Sequence, residues 1–194
     1  MPLVNALTLL WLAPLAVYDL KKKAVPHIAV VAVPCFIAAI FATLRGDDTL
    51  AVMALAALYA SERPNYLRLK RPALVLAIIA LSALTLAGRV ESLPGALAIF
   101  AFWIAYEIGW WAGADALAAM TLALLWPDIL LIVALGVAHF VAAAVLFILR
   151  RRPLMVVMMW PRALTGVELD AYGAPGLPAI ALGALLRVAA GLLG

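Results

Sequence analysis

The chain has 194 residues, 69% of them hydrophobic and only 12% charged, with a formal net charge of +4. Soluble domains are about half apolar and a quarter charged, so this composition excludes an ordinary soluble fold and points to a polytopic membrane protein. In lipid such a chain is a helix bundle or a closed barrel, and the long Ala/Leu/Val/Ile runs lack the period-2 alternation of barrel strands. That leaves an all-α transmembrane bundle, one domain over residues 1–194, with about 6–8 membrane helices.

In chain order, apolar segments fall at about Leu3–Tyr18, His27–Leu44, Thr49–Ala60, Ala73–Gly88, Gly95–Ala112, Ala116–Trp126, Ile129–Leu149 and Pro178–Leu193. The first has no basic stretch before it and Lys21, Lys22 and Lys23 after it. This reverses the charge order of a secretory signal peptide, so it reads as a retained helix. The second contains the lone Cys35, which excludes intrachain disulfides and cysteine-rich zinc sites. Thr49–Ala60 and Ala116–Trp126 are shorter than the roughly 20 residues a span needs, so they are thin spans or half-helices shielded by neighbours. Pro14 and Pro34 lie inside segments, where proline kinks a helix.

The connections set the topology. Lys21–Lys23 follow the first segment, Arg63, Arg68, Lys70 and Arg71 the third, and Arg150, Arg151, Arg152 and Arg162 the seventh. If all eight segments cross, these clusters share one side and leave only Arg45, Arg89 and Arg187 elsewhere. The positive-inside rule makes that side cytoplasmic and puts the N-terminus outside. The cytoplasmic connections are then about 19–26, 61–72 and 150–175. The basic residues cap segment ends rather than forming one patch, which argues against a nucleic-acid partner. The bilayer itself is the expected surrounding, in the cell membrane.

Most acids belong to connections: Asp47, Asp48, Glu91 and Asp128 to the outer ones, Glu62, Glu168 and Asp170 to the cytoplasmic ones. Asp19, Glu107 and Asp115 remain. Ionisable residues inside hydrocarbon are costly and mark function by default. Four crossings separate Asp19 from Asp115, so parity puts both at the cytoplasmic face and at similar depth. Two neighbouring carboxyls share a proton, one serving as base and the other as acid, which is the chemistry of peptide hydrolysis by an activated water. Blander roles exist for each: an interfacial charge pair with the lysines for Asp19, and a helix N-cap before Ala116 for Asp115. Glu107, eight residues before Asp115, lies about 80° away around a straight helix, where it lines the same cavity or hydrogen-bonds within the bundle. His139, in mid-segment, reads as an interhelical hydrogen-bonding residue. No cofactor or metal is implied.

These residues resemble the type IV prepilin peptidases, including the archaeal preflagellin peptidases, of the G-x-G-D aspartyl protease group. Asp19, Lys21, Lys23, Val25 and Pro26 follow the first family motif, with His27 where Asn is usual. Gly113, Ala114 and Asp115 follow the second, with Ala112 in place of its first Gly and Leu117 in place of a following Lys. The Gly/Pro-rich entry to the last segment, Gly173–Pro178, is a third likeness. The resemblance implies an endopeptidase that removes the basic leader from prepilin-like or preflagellin-like precursors at the cytoplasmic membrane face. It implies Asp19 and Asp115 as the catalytic pair, with Gly113, Ala114, Lys23 and Glu107 on the substrate side; small residues there admit a close substrate backbone. Methyl transfer is not implied, since the chain lacks the extra cysteine-bearing portion of methylating relatives. Other readings of the same acids are a presenilin-like intramembrane protease, a small transporter or channel, and a catalytically silent assembly subunit.

Overall fold

A computed structural model of the chain describes residues 2–22, 29–61, 92–107, 111, 113–149 and 176–193. Among these are seven α-helices and no strand: α1 (Pro2–Lys22), α2 (Ala29–Leu44), α3 (Asp48–Ser61), α4 (Leu93–Glu107), α5 (Gly113–Leu125), α6 (Ile129–Leu149) and α7 (Gly176–Leu193). The expected segment Ala73–Gly88, the connection 150–175 and Lys23–His27 lie outside the described residues. Helices α1 and α2 continue through Pro14 and Pro34.

Helix α5 is the hub. Ten consecutive residues, Asp115–Leu124, are buried, as expected of a helix that is apolar all round. Ala116, Ala118, Ala119 and Ala123 keep its surface low, and small residues let neighbouring backbones approach closely. It packs against α2, α3, α4 and α7, while α7 in turn packs against α1 and α6. The short segment expected at Ala116–Trp126 is thus a 13-residue helix enclosed by its neighbours.

Two glycines set close crossings. A β-carbon at Gly183 would fall 2.7 Å from Leu135 Cδ2 and 3.0 Å from its α-carbon, at the α6–α7 seam. One at Gly95 would fall 2.6 Å from Pro127 Cβ. Helix α2 ends on Gly46 at φ 88°, a left-handed conformation natural to glycine. Gly46 N–H donates to Thr43 O (2.9 Å) and Asp47 N–H to Ala42 O (2.9 Å), which closes the turn into α3.

The polar groups at one end of the bundle cap helices. Arg45 donates from Nη1 to Leu125 O (3.1 Å) and from Nη2 to Leu124 O (2.5 Å), placing a cation on the negative end of α5. Asp128 Oδ1 accepts from Leu131 N–H at 2.9 Å, an N-cap for α6. Its Oδ2 pairs with Arg187 Nη2 at 2.6 Å. The Arg187 guanidinium also lies 5.0 Å over the Trp126 ring, and Trp126 Nε1 donates to Asn5 Oδ1 at 3.1 Å. Arg187, a lone charge within an apolar segment by sequence, is therefore paired across helices.

Large apolar side chains cover the outside. Leu10 on α1, Phe36 and Phe41 on α2, and Phe140 and Ile148 on α6 are all exposed. Pro2–Lys22 is the one helix among the described residues long and apolar enough to cross a membrane by length and composition.

Candidate active site

Asp19 sits one turn before the end of α1. Leu12, Leu15, Ala16 and Asp19 are the buried positions along this stretch, at i, i+3, i+4 and i+7, a single helix face. The flanking Tyr18 and Leu20 are exposed. The face that packs α1 therefore delivers a carboxylate to the interior: Asp19 is only 8% exposed. Lys21 and Lys22 remain exposed at the helix end, where cations suit the dipole. Among the described residues Asp19 forms no ion pair with Lys21 or Lys22; Lys23 lies outside them.

Asp115 lies in the first turn of α5, not before Ala116 as an N-cap, because the helix starts at Gly113. It is 9% exposed, and a carboxylate in a first helical turn is favoured by the dipole. Ahead of it, Trp111 is held by aromatic rings. Trp111 stacks on Phe102 of α4 (centroids 5.2 Å apart, 26° between planes) and on His139 of α6 (4.7 Å, 27°). Trp111 N–H donates to Ala105 O at 3.1 Å. Helix α4 ends at Glu107, so Glu107 and Asp115 belong to different helices and the straight-helix angle between them does not apply. A β-carbon at Gly113 would meet Tyr106 Cε2 at 3.4 Å, and Ala114 packs against the core.

Both acids lie against the first turn of α7. The Leu177 backbone amide faces the Asp19 carboxyl group. Gly176 lies against Asp115 so closely that an added β-carbon would collide with Cγ and Oδ2 and fall 2.6 Å from Oδ1. Consecutive α-carbons are about 3.8 Å apart, so the two carboxyl groups face neighbouring residues of one helix turn. Asp19 Oδ2 is buried and has no hydrogen-bond partner among the described residues. A buried carboxyl oxygen left unmet is costly; it calls for a proton of its own or for a donor. The same helices carry the Asn5, Leu125 and Arg187 ends away from this point, so the acids share one end of the bundle and the caps the other.

Of the other expected site residues, Gly113 and Ala114 border the Asp115 turn. The Glu107 side chain, Lys23 and Ala112 lie outside the described residues. His139 departs from expectation: its Nδ1 bonds Leu135 O of its own helix at 2.9 Å, and its contact across helices is the stack on Trp111. The i−4 carbonyl is simply the nearest acceptor for a ring in mid-helix. Gly176 and Leu177 had no assigned role by sequence beyond the Gly/Pro-rich entry; Trp111 and Tyr106 had none at all. Among the described residues no group of three His, Cys, Asp or Glu side chains could hold a metal ion. No protein-family profile, curated protein or solved structure matches the chain.

Proposed function

We propose that the chain is a membrane-embedded aspartic endopeptidase that removes the basic leader of prepilin-like or preflagellin-like precursors at the cytoplasmic membrane face. One observation carries the reading: two buried carboxyl groups, ninety-six positions apart in sequence, face neighbouring residues, Gly176 and Leu177, of one helix turn. Burying two carboxylates has no packing benefit to offset its cost, so their shared location needs a chemical reason.

The bilayer setting is supported by the apolar exterior, since large exposed hydrophobic patches are rare on soluble monomers. The topology proposed is a bundle of 6–8 spans with the N-terminus outside, from the distribution of lysine and arginine. Both acids then lie near the cytoplasmic leaflet, one turn inside Lys22.

The chemistry follows from the pair. One carboxylate takes a proton from a water molecule as its oxygen attacks the scissile carbonyl carbon. The protonated partner gives its proton to the carbonyl oxygen, producing a tetrahedral diol. Collapse of the diol breaks the C–N bond: one hydroxyl proton returns to the carboxylate that gave its own, and the departing nitrogen takes a proton from the acid that first accepted one. Titration belongs to the pair as a unit.

The test is incubation of the detergent-solubilised protein with a precursor carrying a short basic leader before an apolar helix. Mass spectrometry should find one cut at the leader boundary, absent with Asp115→Asn. An intact precursor after prolonged incubation with the wild-type protein contradicts the proposal.

A further inference from the structure

Neither acid is open to a substrate. Asp19 is 8% exposed, Asp115 9% and Leu177 1%. The groups that cover them belong to the chain itself: the Gly176 backbone lies on the Asp115 carboxylate and the Leu177 amide of the same peptide unit faces Asp19. A peptide presented for hydrolysis needs the same carboxylate faces that this internal peptide unit now occupies. We propose that the first turn of α7 is a built-in closure of the acid pair, which substrate must displace to reach it. The inference rests on the peptidase reading of the pair.

Three features make the first turn the moving part. The first four N–H groups of a helix have no partner within it, and Pro178 has no N–H at all. Unwinding Gly176–Pro178 therefore breaks no helical hydrogen bond donated by these residues, only those their carbonyls accept from the next turn. Beyond it α7 is fixed, by the tight Gly183–Leu135 crossing and by the Arg187–Asp128 ion pair at 2.6 Å. Finally, the closed contact is incomplete. An acid serving only as a cap for α7 would have its buried oxygens met, whereas Asp19 Oδ2 is buried without a partner among the described residues. That unmet oxygen is a cost of the closed state which an arriving hydrogen-bond donor relieves.

The experiment reads the closure by thiol labelling. Leu177→Cys is placed in a Cys35→Ala background, and its alkylation by N-ethylmaleimide is timed in detergent micelles. Ile180→Cys, one turn deeper and fully buried, serves as the control for general unfolding. In the first arm a precursor with a basic leader and an apolar helix is added to the Asp115→Asn form. Labelling at 177 should accelerate at least tenfold, with position 180 unchanged. In the second arm no precursor is present: Asp19→Leu, which removes the polar group facing the Leu177 amide, should accelerate labelling at 177, while Asp19→Asn, which keeps one, should not.

Unchanged labelling at 177 in Asp19→Leu overturns the closure whatever the precursor does. So does unchanged labelling under a precursor that the wild-type protein cleaves. If the wild-type protein cleaves nothing, the peptidase reading fails separately, and the second arm still decides whether the acids hold α7 shut.

Discussion

Gly176 rests directly on the Asp115 carboxylate, with no room for a β-carbon between them. A residue at the start of the last helix thus sets where a carboxyl group on the central helix can be. Gly176→Ala should force one of the two to move, at a cost of about 1–3 kcal/mol, as for other overpacked cores. Thermal unfolding in detergent measures this. Gly136→Ala is the matched control: its β-carbon would meet nothing within 4 Å, and replacing a mid-helix glycine should stabilise by about 0.5–1 kcal/mol.

The α6–α7 seam should be equally intolerant at Gly183. Its β-carbon would face the Leu135 α-carbon at 3.0 Å, a backbone neighbour that cannot rotate away. Gly183→Ala is expected to lower the unfolding temperature and to loosen α7, raising labelling at Ile180→Cys. Labelling and stability equal to wild type would show that the seam can spread.

Asp128 performs two tasks that substitution separates. It caps α6 through Oδ1 and pairs with Arg187 through Oδ2. Asp128→Ala loses both, with the cap alone worth about 1 kcal/mol. Asp128→Asn keeps a good capping group and loses the charge. The pair is partly exposed, at 19% and 38% for the two side chains, so solvent screens it and the cap should account for most of the loss. Denaturation of the two variants checks this order: Asn should lie closer to wild type than Ala.

Much of this architecture is legible in the sequence, and the rest fails for identifiable reasons. Apolar runs delimit helices because burial and periodicity are local properties; Ile129–Leu149 is an apolar run and also α6. Asp19 and Asp115 stand out because acids inside apolar runs are costly, whatever surrounds them. What surrounds them is not a local property. Nothing near Arg187 in sequence announces Asp128, and nothing near Asp115 announces Gly176. Glu107 shows how far local spacing reaches: α4 stops at Glu107 and α5 starts at Gly113, so an angle counted along one straight helix does not relate Glu107 to Asp115. His139 likewise found its hydrogen bond in its own helix and its neighbour in an aromatic ring, a choice made by packing.

The claim that Asp19 and Asp115 act as one unit is tested most directly by cleavage rates of a basic-leader precursor for wild type, Asp19→Asn, Asp115→Asn and the double variant. Groups that act together are strongly non-additive. Each single substitution should abolish detectable cleavage while leaving unfolding temperature near wild type, and the double variant should be no worse than either. Cleavage by Asp19→Asn or Asp115→Asn at close to the wild-type rate would contradict the account.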